Sequence, residues 1–515
     1  MGEDNKDFRI SIIRKAMMNP TVVDEFQAVS LPVKAQALPK FPKTGGVAAS
    51  SSSSNIPVTI SKYRIKDPAA KILILIFAAL ILGVGFMQKS FEPIILSSAW
   101  GRILFITFQA VLIIFFLTLI WRVALLMKYR PAPLFSDEKL PTCGVIVPAY
   151  NEGCQVLETL RSIAHSDYPM EKLKIVVIDD GSKDDTWRWI QQAVREMPSR
   201  IMPIRLPRNQ GKRSALHAGF RQCKSDIFVT IDSDSIVEPR TIRCMVAPFI
   251  QNPNVGAVAG NVRILNRNEG LIPKMLDVSF AFSFDFLRAS QSMVNTVMCT
   301  PGALSAYRSD LVRAVLPQWV NQQFLGRPAN IGEDRAMTNM ILKLGYYVHF
   351  QSTAMVYTNA PTGYQTLCKM FLRWARSNIR ETLVMTRFVF TRFREGPMLG
   401  ARINLLLSLM TLTLGQFMKL VLLGLLVYLP EMFGMRMLVA AVLAGILPAA
   451  FFIYRYRNSD ALWAFAYGIF SVAGLSWIAL YAAITPQKTG WLTRDFSPGR
   501  THPLSFAPRV LENRP

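Results

Sequence analysis

"FVTIDSDSIVEP" (228–239) sets an apolar run against two aspartates separated by one serine. Phe228–Ile231 has the make-up of a buried strand, and Asp232-Ser233-Asp234 that of the turn ending it. A lone D-x-D is an ordinary turn, so its weight depends on whether other segments repeat the form. They do. "CGVIVPAY" (143–150) runs into Asn151-Glu152, and "LKIVVIDD" (173–180) runs into Gly181-Ser182. "IMPIRL" (201–206), "VGAVAG" (255–260) and "VMCTPGALSAY" (297–307) supply further strands. Between them lie helix-period segments such as "EGCQVLETLRSIAH" (152–165), "DDTWRWIQQAVREM" (184–197) and "GKRSALHAGFRQC" (211–223). This alternation predicts an α/β domain, a mostly parallel sheet covered on both faces. Such sheets bind ligands at the carboxyl ends of their strands, where these polar residues fall.

The rest of the chain has a different character. Of its 515 residues 51% are hydrophobic and only 18% charged, which points to a membrane protein. The net charge of +24 crowds the flanks of apolar segments, as in "SKYRIKDPAAK" (61–71), "LLMKYRP" (125–131) and "YRYRN" (454–458). Cytoplasmic juxtamembrane positions collect such charge and attract anionic lipid, so no nucleic-acid partner is expected. The six cysteines form no C-x-x-C pair and the four histidines show no ligand spacing. Zinc and a disulfide framework are therefore disfavoured, and reduced cytosolic thiols fit. Residues 1–66, polar and interrupted by the serines at 50–54, read as a flexible basic cytoplasmic tail without a cleavable signal.

Two apolar runs, about 69–87 and 103–127, lie in the segment 67–130, and each approaches the ~20 residues needed to span a bilayer. Basic residues at their outer flanks place the tail and the middle domain (140–360) in the cytoplasm. Further spans are expected at about 403–429 and 438–454. The run 461–485 is long enough to cross, but crossing would put Lys488, Arg494, Arg500, Arg509 and Arg514 outside, against the positive-inside bias. An interfacial or re-entrant helix is favoured there, with a third span in 401–485 as the alternative. The expected location is a bacterial inner membrane, multi-pass, with the catalytic domain cytoplasmic.

The series "VPAYNE", "IDDGSKDDT", "NQGKRSAL", "IDSDS", "GEDRAMTNMILKLGY" and "RWARSNIRE", in that order between apolar helices, resembles the processive family-2 glycosyltransferases. These include hyaluronan, chitooligosaccharide and cellulose synthases. The resemblance covers roughly residues 70–495 and implies a GT-A type domain placed between transmembrane and interfacial helices. It implies that Asp234 coordinates Mn²⁺ or Mg²⁺, and that Asp232, Tyr150, Glu152, Asp180, Lys212 and Arg373 bind a UDP-sugar donor. Oxygen donors suit such hard cations, which offset the charge of a diphosphate leaving group. Asp334 would be the general base that takes the acceptor hydroxyl's proton. Trp374 would stack on the growing polysaccharide, with residues 361–400 as amphipathic interfacial helices. Trp491, Thr493 and Arg494 in "TGWLTRD" would belong to a gating loop within a cytoplasmic segment, 486–515.

This chain departs from the family pattern at Met370 (usually Gln), at Asn261 (often Asp), at Leu492 (Gly), and in the order of "CTPGALSAYR" (299–308). Glu333 reads as plain helix-start acidity. The function expected is inverting, processive synthesis of a β-linked polysaccharide and its passage across the membrane, with accessory secretion subunits as possible partners. The alternatives are a polyprenyl-phosphate monosaccharide transferase and a non-catalytic membrane subunit of a secretion system.

Overall fold

The computed structural model describes residues 68–87 and 97–488. An eight-stranded sheet forms the centre of the middle domain, in the order β3-β2-β1-β4-β7-β6-β10-β5. Its strands are β1 (Cys143–Ala149), β2 (Leu173–Asp179), β3 (Ile201–Arg205), β4 (Ile227–Ile231), β5 (Ser235–Val237), β6 (Val255–Ile264), β7 (Leu304–Arg308) and β10 (Tyr347–Thr358). A separate small hairpin pairs β8 (Gln323–Phe324) with β9 (Arg327–Pro328). Every residue of β1 and of β4 is buried, as expected for strands covered on both faces.

Strands β3, β2, β1 and β4 are parallel, with Val145 paired to both Ile175 and Val229. Their carboxyl ends therefore gather Tyr150, Asp180 and Asp232 along one edge of the domain. The other half is mixed: β7 runs antiparallel between β4 and β6, and β5 antiparallel to β10. The expected strand at 297–307 begins only at Leu304. Before it, Leu304 N–H turns back onto Pro301 O at 3.1 Å, and Thr300 bonds Tyr307 and Thr338 through its hydroxyl. A proline has no N–H to offer a ladder, so Pro301-Gly302 form a turn over the strand ends.

Among the described residues four helices are long and apolar enough to cross a membrane: Ala99–Lys128, Leu399–Tyr428, Phe433–Tyr456 and Ser459–Ile484. The helix Pro68–Met87 has a shorter apolar stretch, Lys71–Gly83. This is a membrane protein. The span 399–428 breaks at Thr413, between the helices Leu399–Leu412 and Leu414–Tyr428. Polar ties join these helices to the α/β domain. Arg122 donates to Ser290 and Asn404 at 3.1 Å each, and Tyr129 Oη to Phe350 O at 2.8 Å. Lys71 Nζ meets Asp460 at 2.5 Å, and Arg267 reaches the same carboxylate at 3.0 Å.

The segment 459–484 is held at both ends. Asp460 pairs as just described, and Thr485 Oγ1 accepts from Arg376 Nε and Nη2 at 3.1 and 3.0 Å. Midway, Tyr364 Oη donates to Gly474 O at 2.6 Å, where a π-helical turn (Ser471–Leu475) leaves carbonyls free. Its partners Tyr364 and Arg376 lie on the long helix Tyr364–Val389, whose buried stripe packs between domain and membrane helices.

Candidate active site

The turn after β4 is pinned from below: Thr159 Oγ1 donates to Ser233 O at 2.8 Å. That fixes Asp232 and Asp234, both half-buried, facing the cavity at the sheet edge. Asp234 Oδ1 accepts from Ser235 Oγ at 3.2 Å and from Thr358 Oγ1, at the end of β10, at 3.3 Å. Asp232 is bonded to Lys212 Nζ, and the same ammonium lies 3.3 Å from Glu333 Oε1. Lys212 starts a helix behind Gly211, and the loop before it is shaped by Asp180. Both Asp180 oxygens are engaged, by Gln210 N–H at 2.9 Å and Gly211 N–H at 2.8 Å. Asp180 is thus drawn into positioning Lys212, and it does not line the cavity, whereas Tyr150 and Glu152 do.

Asp334 occupies the first turn of the helix Glu333–Lys343, entered through Gly332 at φ +70°. A Cβ at Gly332 would lie 1.7 Å from Ser377 Oγ, so both conformation and space demand glycine there. The Asp334 carboxylate accepts from Gly302 N–H at 3.0 Å and from Arg335 N–H at 2.7 Å. Burial, and then the neighbouring Glu333 charge, push it up to about 6. Burial alone would raise Glu333 too. There the cations Lys212, Arg373 and Arg213 prevail and hold it below the usual carboxylate range. Lys212 follows the same logic with opposite sign: burial opposes its charge, but Asp232 and Glu333 raise it. Two adjacent carboxyls are thereby split into a fixed anion and a group that titrates near neutrality, a common arrangement for proton transfer.

Arg373 and Trp374 reach the cavity from the helix Tyr364–Val389. Trp374 belongs to an aromatic collar, its ring centroid 5.7 Å from Phe280, 6.4 Å from Phe284 and 5.6 Å from Phe371. Met370 also lines the cavity, so the departure there removes a polar group from the wall. Asn261 is buried in β6, donates to Ser352 O at 3.1 Å, and does not line the cavity. Trp491, Thr493 and Arg494 lie outside the described residues.

The cavity measures about 1410 Å³. Its lining includes Tyr150 and Asp232 at the sheet edge, Asp334 and Trp374, and Lys419, Leu423, Met437 and Ala440 on the apolar helices. Asp232 and Asp234 are an oxygen-only set that suits a hard divalent cation. No group of three or more His, Cys, Asp or Glu able to hold a metal occurs among the described residues. A cation here would take most of its ligands from a bound diphosphate and water, which is how Mg²⁺ is commonly held.

Sequence reasoning missed Glu333, Thr358 and Gly302. Glu333 is nearly fully buried against Lys212, although its place in the chain is that of any helix-start acid. Its only signal was adjacency to Asp334 behind a glycine.

A profile described as "Glycosyltransferase like family 2" matches residues 141–377. An N-acetylglucosaminyltransferase of Azorhizobium caulinodans is 29% identical over 367 residues, 69% of this chain and 88% of that protein. Another, from Rhizobium leguminosarum bv. viciae, is 32% identical over 56% of this chain and 68% of its own length. A hyaluronan synthase of Streptococcus pyogenes is 31% identical over 48% of this chain and 59% of its own. Among solved structures, the mannosyltransferase PcManGT from Pyrobaculum calidifontis, in complex with GDP-Man and Mn²⁺, shares the GT-A fold. It has a TM-score of 0.50 and 21% identity, covering 74% of this chain and 95% of that one. With motifs, sheet order and relatives in agreement, the chain belongs to glycosyltransferase family 2, and it is a glycosyltransferase.

Proposed function

We propose that this protein polymerises a UDP-activated sugar into a β-linked polysaccharide, with inversion at the anomeric carbon, and passes the chain between its membrane helices. The carrying observation is that one cavity is lined by Asp232, by Trp374 and by Lys419 and Met437 of the apolar helices. A transferase releasing one sugar to a lipid has no need of an aromatic collar in such a cavity.

Tyr150, Glu152, Asp232 and Arg373 hold the donor, and Lys212 adds positive charge close to the leaving group. A divalent cation, Mn²⁺ or Mg²⁺ at Asp234, supplies charge neutralisation to the diphosphate when bound. Asp334 takes the proton of the acceptor hydroxyl, its carboxylate steered by the Gly302 and Arg335 amides. Trp374 and its aromatic neighbours hold the acceptor sugar by its apolar face in any register. Asp180 serves the donor indirectly, through the loop it braces.

The two-ended tether of 459–484 supports the interfacial reading of that segment. Asp460 pairs with Arg267 of the α/β domain and Thr485 accepts from Arg376 of the helix Tyr364–Val389, so both ends of the segment are held on the domain's side. The basic flanks of the apolar helices put the catalytic domain in the cytoplasm. The test is mass spectrometry of products made by purified full-length protein from a panel of UDP-sugars with Mn²⁺ or Mg²⁺. A ladder of polymer lengths from at least one sugar is expected. Single-sugar products on lipid alone would overturn the reading.

A further inference from the structure

The five acids that line the cavity, Glu152, Asp232, Asp234, Glu333 and Asp334, stand at its sheet end. The lining also carries cations, and one of them, Arg288, lies within reach of the Asp334 charge yet keeps a donor without an acceptor among the described residues. Arg288 is 7% exposed, and its Nη1 has no hydrogen-bond partner among the described residues. Its guanidinium lies over the Phe284 ring at 4.2 Å, and Phe284 neighbours Trp374. A guanidinium has five N–H donors and keeps its charge, so burying Nη1 without an acceptor is costly. Chains keep such a group where a ligand completes it.

The local fold aims it. A π-helical turn, Ala281–Phe286, precedes the short helix Leu287–Ser292 and turns Phe284 and Arg288 together onto the cavity wall. Such turns concentrate at functional sites. Other lining cations are occupied: Lys212 by Asp232 and Glu333, Arg335 by Asn378 and Thr382. Lys419, deeper among the membrane helices, has no ion-pair partner among the described residues. Ionisable residues at such depth face cavities and mark ligand pathways.

We propose that Arg288 is a ligand for the acceptor chain. Its guanidinium donates to a strong oxygen acceptor, a carboxylate or an N-acyl carbonyl, on the sugar held by Trp374. Lys419 repeats the contact further along. This rests on the reading that the cavity holds a growing saccharide. A planar fork matches either group, and the aromatic collar alone fixes no such orientation.

The experiment uses purified full-length protein in nanodiscs, with UDP present, as wild type, Arg288→Met and Arg288→Lys. Binding of two probe series is measured, neutral N-acetylglucosamine oligomers and uronate-containing oligomers of equal length, together with UDP affinity and thermal unfolding. Arg288→Met is expected to weaken at least one series by about 10–100-fold, the worth of a charged hydrogen bond. Arg288→Lys should recover part of the loss, and UDP affinity should stay within about twofold of wild type, because donor groups lie elsewhere. The responding series identifies the recognised group. Arg288→Met should also melt close to wild type, since the group it removes is a buried one whose Nη1 lacks an acceptor. Wild-type binding of both series by Arg288→Met, or joint loss of UDP binding and thermal stability, would overturn the proposal. Wild-type protein that binds UDP but neither series would instead overturn the polymer reading itself.

Discussion

The backbone N–H of Gly302 donates to Oδ2 of Asp334 at 3.0 Å, tying the turn before β7 to the candidate base. That turn also packs on Lys212, so a Cβ at Gly302 would lie 2.8 Å from Nζ. Three separate chain segments therefore fix one another at the point where donor and acceptor meet. Gly302→Ala should push Lys212 off Asp232 and Glu333. A misplacement of about 1 Å near the chemistry can cost about 10²-fold in turnover. Steady-state UDP release should show that loss, with a lowered unfolding temperature because Glu333 is left further from its ammonium.

Asp334→Asn should keep UDP affinity, since the carboxylate faces the acceptor, and should lose about 10²–10⁴-fold in turnover. Parallel UDP titration and turnover separate the two effects. A nucleotide-binding role would make them fall together.

The pH dependence of the wild type follows from the same carboxyl. Asp334 must be ionised to accept a proton, and burial pushes it up to about 6, so kcat/KM should fall as pH drops through that value. Stability carries the opposite sign. A carboxyl raised in the folded state stabilises it while protonated, and that contribution is lost as pH rises from the unfolded value through 6. The melting temperature of Asp334→Asn relative to wild type should therefore be more favourable at pH 8 than at pH 5. Differential scanning at the two pH values checks it.

Lys212→Met leaves Glu333 buried without its ammonium. Breaking such a pair costs about 3–5 kcal/mol, whereas removing both charges costs much less. Lys212→Met/Glu333→Gln should accordingly regain much of the lost stability in denaturant unfolding. Turnover should stay low in both variants, because the cation near the leaving group is gone.

Metal dependence is tested at Asp234. Turnover should vanish in excess chelator and return with Mn²⁺ or Mg²⁺, and Asp234→Asn should lose on the order of 10³-fold. Full turnover in chelator would remove the cation from this site.

Much of this was legible along the chain. The apolar runs ending in "DD" and "DSD" located β2, β4 and the edge where their carboxylates gather, because an apolar strand followed by polar turn residues is a local pattern. Helix-length apolar segments disclosed most of the long apolar helices for the same reason, although 459–484 is long and apolar enough to cross like the others and 68–87 falls short. The ordered motifs disclosed the family. Pairing decided the rest. Whether "VMCTPGALSAY" runs parallel or antiparallel depends on its neighbours, and β7 lies between β4 and β6 only once the chain has folded back. Glu333 and Asp334 are adjacent and chemically alike in sequence; Lys212, 121 positions away, makes one a fixed anion and burial makes the other titrate. Asp180 reads as a ligand beside its strand, and that both its oxygens accept from the amides of Gln210 and Gly211 shows only in the folded chain. Arg288 looks like any surface arginine until the membrane helices and the collar around Trp374 enclose it. Local chemistry is written in order along the chain, whereas burial and charge pairing depend on segments far apart in it, so only the tertiary structure decides them.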